Sequence, residues 1–219
     1  MALALLVTAL DAVLIGAALG GVAPLRAHAP ALALLATWAV GGIVLALRRP
    51  VHSQDVVERA PESPAVLVVL ALLPLATAPL AALGERLGLW LLPGGDTLRW
   101  LGVALSGFGL AVRIAAMSQL GPRFSPLLAV QRDHDLETSG LYGRIRHPGY
   151  LGAWLVSLGG ALAFGGGLGL PLVALMGLLL HNRAVREEAL LAQRFGDVFQ
   201  RYRARTGRFL PRLMPGPPA

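Results

Sequence analysis

The sequence contains no cysteine, and all of its basic residues are arginine. The first absence excludes a disulfide framework, a thiol nucleophile and a thiolate metal site. Charge is scarce as well: charged residues make up 14% of the 219-residue chain against 55% hydrophobic. With a mean hydropathy of +0.65 this excludes most soluble enzyme folds. The net charge of +7 and a pI near 11.3 would suit a nucleic-acid partner, but the arginines stand mainly at the ends of apolar runs. That is the positive-inside pattern of a membrane protein, and no nucleic-acid partner is expected. No pair of histidines has metal-ligand spacing and no serine-centred elbow occurs, so neither a metal nor acyl transfer is expected. A basic stretch after Met1 is also lacking, and the apolar run to Leu25 is too long for a signal-peptide core, which predicts a retained first helix.

What the chain does have is a series of apolar runs near membrane-spanning length. They predict an all-α, polytopic helical membrane protein with about five to six membrane helices. Expected spans are Ala2 to Leu25, Pro30 to Leu47, Pro64 to Leu83 with kinks at Pro74 and Pro79, and Leu98 to Met117. Two short apolar helices, Tyr150 to Phe164 and Leu168 to His181, form a hairpin around Gly165-Gly166-Gly167. Asn182 to Ala204 follows as an amphipathic helix with Leu191, Phe195, Val198 and Tyr202 on its apolar face. The stretch Val51 to Ser63 reads as a surface loop, and the proline-rich residues 212–219 as a disordered tail. The resulting division is 1–117 for the N-terminal membrane helices, 118–211 for the functional region and 212–219 for the tail. Asp11 interrupts the first span, and a carboxylate at membrane depth hints at function. It is left outside the site, because a protonated or helix-bonded carboxyl accounts for it equally well.

Between the fourth span and the hairpin lies a polar segment, His134 to Tyr150, crowded with histidine, tyrosine, acid and arginine. Pro148 biases His147 toward an extended conformation and suits the first turn of the next helix. His147 then stands at a helix mouth, where unpaired N–H groups and a partial positive charge can receive a ligand carboxylate beside Arg146. Tyr150 follows about one turn in.

The order H-x-L…G-x-Y-x-x-x-R-H-P-x-Y, followed by R-x-x-x-E-E and F-G-x-x-F-x-x-Y, resembles the isoprenylcysteine carboxyl methyltransferase family and its phospholipid methyltransferase relatives. The likeness covers roughly Leu120 to Pro211. It implies an integral membrane methyltransferase using S-adenosyl-L-methionine, with a cofactor site of His134, Asp135, Leu136, Glu137, Tyr142, His147, Pro148, Gly149, Tyr150 and Glu187. Arg183 would face a lipid-like or small hydrophobic acceptor drawn from the bilayer, and Glu188 would be the solvated member of its pair. Two positions depart from the family: Gly140-Leu141-Tyr142-Gly143 stands where Gly-Pro-Tyr-Arg is usual, and Phe199 where tyrosine is common. The alternatives are a membrane NADPH-dependent sterol-type reductase, which Asp133, Asp135 and Glu137 argue against, and a non-catalytic membrane scaffold. Counting crossings puts the polar segment, the loop from Arg48 to Ser63 and the C-terminal helix on one side, and the arginine distribution makes that side cytoplasmic.

Overall fold

The structure is a computed structural model that describes residues 2–47, 56–59, 63–121, 129–131 and 136–212. Among these residues seven α-helices carry the fold: α1 (Ala2–Leu19), α2 (Val22–Ala27), α3 (Ala29–Leu47), α4 (Pro64–Leu87), α5 (Gly95–Leu120), α6 (Pro148–Leu162) and α7 (Leu170–Arg205). Among the described residues, four helical stretches are long and apolar enough to cross a membrane: α3, α4, α5 and the region Gly167–Arg205. The chain is an integral membrane protein, and its described residues are predominantly helical. The other two apolar helices fall short. The apolar part of α1 runs only over Leu5–Leu19, and α6 has 15 residues, roughly 22 Å of helix against a hydrocarbon core of about 30 Å.

Local chemistry explains where the elements end. The first expected span breaks after Leu19 because Gly20 and Gly21 take φ values of +100° and +133°, which a residue with a side chain rarely adopts. The His28 Nδ1 then accepts the Ala31 N–H at 3.1 Å, satisfying an orphan donor at the start of α3. Pro74 and Pro79 lie inside α4 without ending it. The expected surface loop contains a short strand, β1 (Val56–Arg59), paired antiparallel with β2 (Ala129–Gln131). The α3–α4 and α5–α6 connections therefore meet on the same side of the bundle.

The C-terminal third departs from expectation. The second arm of the hairpin and the amphipathic helix are one helix, because Asn182 to Leu191 contains neither glycine nor proline and consists largely of good helix formers. The interruption comes later, at Gly196 (φ 49°, ψ −125°). That single residue re-phases the last turns, so the expected stripe fails at Val198, which is 52% exposed, while Phe199 and Tyr202 are buried.

The most extensive helix pairing among the described residues is between α5 and α6. A Cβ on Gly109 would lie 2.8 Å from the Gly152 carbonyl oxygen, and one on Gly152 would lie 2.6 Å from that of Gly109. A Cβ on Gly102 would meet the Ala163 nitrogen at 2.5 Å, and Gly159 is as tightly set against Ser106. Small residues at such positions let helix backbones touch, which is how helices associate where lipid removes the hydrophobic drive. At the end of the bundle away from the polar segment, Glu85 of α4 ties three elements. It pairs with His28 at 3.1 Å and with Arg99 of α5, which also holds Asp96 at 2.6 Å. The apolar core joins Ile15, Leu34, Ala78, Ala81, Phe164 and Val173 between these two ends.

Candidate active site

The polar segment is built from α5 upward. Gln119, in the last turn of α5, donates to the Ser139 carbonyl at 2.6 Å and accepts the Leu141 N–H at 3.1 Å. Glu137 accepts from the Ser139 N–H at 3.1 Å and the Ser139 hydroxyl at 2.6 Å, closing the turn. Gly140 sits at φ +49°, and a Cβ there would meet Gln119 Oε1 at 2.7 Å. The departure at Leu141 and Gly143 is absorbed here by local hydrogen bonds, with Gly143 N–H reaching the Ser139 carbonyl at 2.9 Å.

From this turn the chain runs into Arg146 and His147 and begins α6 at Pro148. His147 is buried and its ring stacks on Tyr150 at 5.2 Å with an interplanar angle of 10°. Its Nε2 lies 3.3 Å from Glu188 and its Nδ1 3.7 Å from Glu187, two carboxylates of α7. Since a carboxylate only accepts, Nε2 carries the proton toward Glu188. The Tyr150 hydroxyl donates to Glu187 at 2.7 Å and accepts from Arg183 Nε at 2.9 Å, so both α7 residues meet on one phenol.

The two adjacent acids are not equivalent, and the expectation for Glu188 is overturned. Its side chain is 5% exposed, against 34% for Glu187. Glu188 accepts from Arg146 Nε at 2.9 Å and, in a fork, from Arg208 Nε at 2.9 Å and Nη2 at 2.8 Å. Arg208 reaches it because the chain after α7 returns along the polar segment. Arg146 N–H donates to the Gly207 carbonyl at 2.9 Å and His147 N–H to the Arg208 carbonyl at 3.0 Å. Arg146 lines the cavity, but its guanidinium is already engaged by Glu188 and the Thr206 carbonyl.

A cavity of about 1150 Å³ connects these residues to the bilayer-facing interior. Leu136, Glu137, Tyr142, His147, Gly149, Tyr150, Arg183 and Glu187 line its polar end, and Leu67, Leu70, Ala71 and Pro74 of α4 line its apolar limb. Burial, followed by the negative charge of Glu187, holds the Tyr142 phenol above its ordinary value, so it stays protonated. Pro148 is fully buried under the site and acts through the backbone. The structure thus brings together eight of the ten residues expected to hold a cofactor, along with Arg183; His134 and Asp135 lie outside the described residues. Sequence reasoning missed Gln119, Arg208 and Arg113. Arg113 lines the cavity and donates from Nη1 to the Gly149 carbonyl at 3.1 Å. Its signal was available: an arginine inside an apolar run is a functional pointer.

Residues 101–193 match the isoprenylcysteine carboxyl methyltransferase (ICMT) family. The chain resembles ICMT proteins in the segment that holds nearly all of the site. It is 35% identical over 106 residues to the protein-S-isoprenylcysteine O-methyltransferase of Schizosaccharomyces pombe, covering 47% of this chain and 45% of that one. With the Homo sapiens protein of the same name it shares 29% over 120 residues, covering 52% and 42%. The chain spans about half the length of the curated relatives it matches. A solved structure of a eukaryotic intramembrane Ras methyltransferase ICMT superposes with a TM-score of 0.58 at 19% identity, covering 88% of this chain and 71% of that one. That superposition extends the ICMT-like fold beyond the matched segment. Arg208 and all of α1 to α4 lie outside residues 101–193.

Proposed function

We propose that the protein is an integral membrane methyltransferase that uses S-adenosyl-L-methionine and methylates the carboxylate of a lipid-like or small hydrophobic acceptor. One observation carries this reading: a single cavity joins a hydrogen-bonding polar end, made by the ICMT-like segment, to an apolar limb between membrane helices. Its volume exceeds the roughly 300–1,000 Å³ of an ordinary small-molecule site, which suits two ligands meeting end to end. In this reading residues 118–211 hold the cofactor and residues 1–117 shape the acceptor's side.

The donor set fits the cofactor. Glu187, partly exposed to the cavity, accepts from an ammonium or a ribose hydroxyl, and neutral Tyr142 donates. When bound, S-adenosyl-L-methionine supplies an electrophilic methyl group on a sulfonium. The protein's task is then alignment and exclusion of water. Tyr150 fixes Glu187 relative to Arg183 through one hydroxyl, and Arg183 orients the acceptor carboxylate. A carboxylate is already ionised at neutral pH and needs no general base. The paired β1 and β2 connections and the arginine distribution support a cytoplasmic site.

The test is thermal unfolding of detergent-purified protein with S-adenosylhomocysteine and, in parallel, NADPH. A ligand at a hundred times its Kd adds about 2.7 kcal/mol, so S-adenosylhomocysteine should stabilise the protein clearly. Stabilisation by NADPH alone would point to a reductase, and stabilisation by neither to a scaffold; each overturns the proposal.

A further inference from the structure

Asp11 of α1 is a titratable side chain that lines the same cavity and that the chemistry above does not use. Asp11 is 5% exposed and its Oδ1 is buried without a hydrogen-bond partner. Thr8, one turn earlier, lines the same cavity, while Ala12 and Ile15 pack into the core with Trp38, Ala78 and Ala161. α1 packs against α3 and α4, the helix whose Leu67, Leu70, Ala71 and Pro74 line the limb, so Asp11 stands on the wall of that limb.

A buried polar group without a partner costs free energy, so a carboxyl kept only for structure would be hydrogen-bonded to a neighbouring helix. Asp11 faces the cavity instead, and the partner it lacks is one the cavity's occupant can bring. We infer that Asp11 selects an acceptor whose apolar chain carries a hydroxyl group partway along its length, in preference to an unbroken hydrocarbon chain. A hydroxyl donates to the carboxyl in either protonation state. An ammonium would require a second desolvated charge in apolar surroundings, which is costlier to bury. The inference rests on reading the limb as the acceptor's. It adds a second point of recognition, in the apolar limb, that sets which lipids are taken.

The experiment measures lipid binding directly, so it does not depend on turnover. Detergent-purified protein is loaded with an environment-sensitive fluorescent fatty acid, which is displaced by stearic acid or by a mid-chain hydroxystearic acid. Wild type should favour the hydroxylated lipid by about tenfold, equivalent to about 1.4 kcal/mol. Asp11→Leu should bring the ratio close to one while leaving stearic acid binding equal or tighter and the apparent Tm without lipid equal or higher. Asp11→Asn, which keeps an acceptor oxygen, should retain most of the preference. Equal affinity for the two lipids in wild type, or an undiminished preference in Asp11→Leu, overturns the inference. So does a Leu variant that loses Tm and both lipids together, since Asp11 would then be structural. The S-adenosylhomocysteine shift is read separately. Its failure beside an intact hydroxyl preference would remove the methyltransferase and leave the lipid site, and the reverse result would do the opposite.

Discussion

Exchanging the charge on each of two neighbouring acids should produce opposite results. Glu188→Gln removes the carboxylate that Arg146, Arg208 and His147 share. Arg146 is 7% exposed, so it would be left as a buried cation facing a neutral amide. Breaking a buried pair in this way costs about 3–5 kcal/mol. The Arg208 share is smaller, because that side chain is 26% exposed and water recovers part of the loss. A total of at least about 3 kcal/mol lowers the apparent Tm by roughly 6–12 °C or more for a chain of this size. Glu187→Gln should cost under about 1 kcal/mol of stability, since its carboxylate already meets solvent. It should instead weaken S-adenosylhomocysteine roughly 10- to 150-fold, the equivalent of a charge-assisted contact of about 1.5–3 kcal/mol. Thermal unfolding and calorimetric titration of the two detergent-purified variants give both quantities. An unchanged Tm in Glu188→Gln, or a larger loss of Tm in Glu187→Gln, would refute the assignment of anchor and ligand.

Arg183→Ala should reduce methyl transfer to a carboxylate acceptor with little change in the S-adenosylhomocysteine Kd, and equal loss of both would merge the two roles assigned along α7. Tyr150→Phe removes the hydroxyl that Glu187 and Arg183 share, so it should raise that Kd and lower turnover in one step; unchanged values for both would make the phenol structural. A reporter fused after Pro211 should be active only in the cytoplasm, and activity confined to the other side would reverse the proposed orientation.

Much of this architecture is legible in the chain because its determinants are local. The apolar runs mark the helices, and Pro148 marks the start of α6 beneath the site. The R-H-P-x-Y segment does converge on the two acids of α7. What was hidden depends on contacts distant in sequence. Glu188 is buried because the chain after α7 comes back to lay Gly207 beside Ile145, and no local pattern announces that return. Val198 and Phe199 exchange places because Gly196 leaves helical geometry for one residue, a shift that periodicity counting assumes away. At the other end, Glu85 is an unremarked acid in a helix terminus until His28 and Arg99 arrive from two other elements.

The α5–α6 contact reverses a common assumption about membrane helices. Apolar residues in a bilayer usually replace one another freely, because Leu, Ile, Val and Phe all satisfy lipid. Gly102, Gly109, Gly152 and Gly159 leave no room for even one methyl group. Substitutions that a hydropathy profile scores as neutral, such as glycine to alanine, would push apart the two helices whose ends present Gln119 and His147. The part of this chain that looks least particular in composition is therefore among the least free to vary, and the alphabet of its membrane interior is narrower than that of its polar loops.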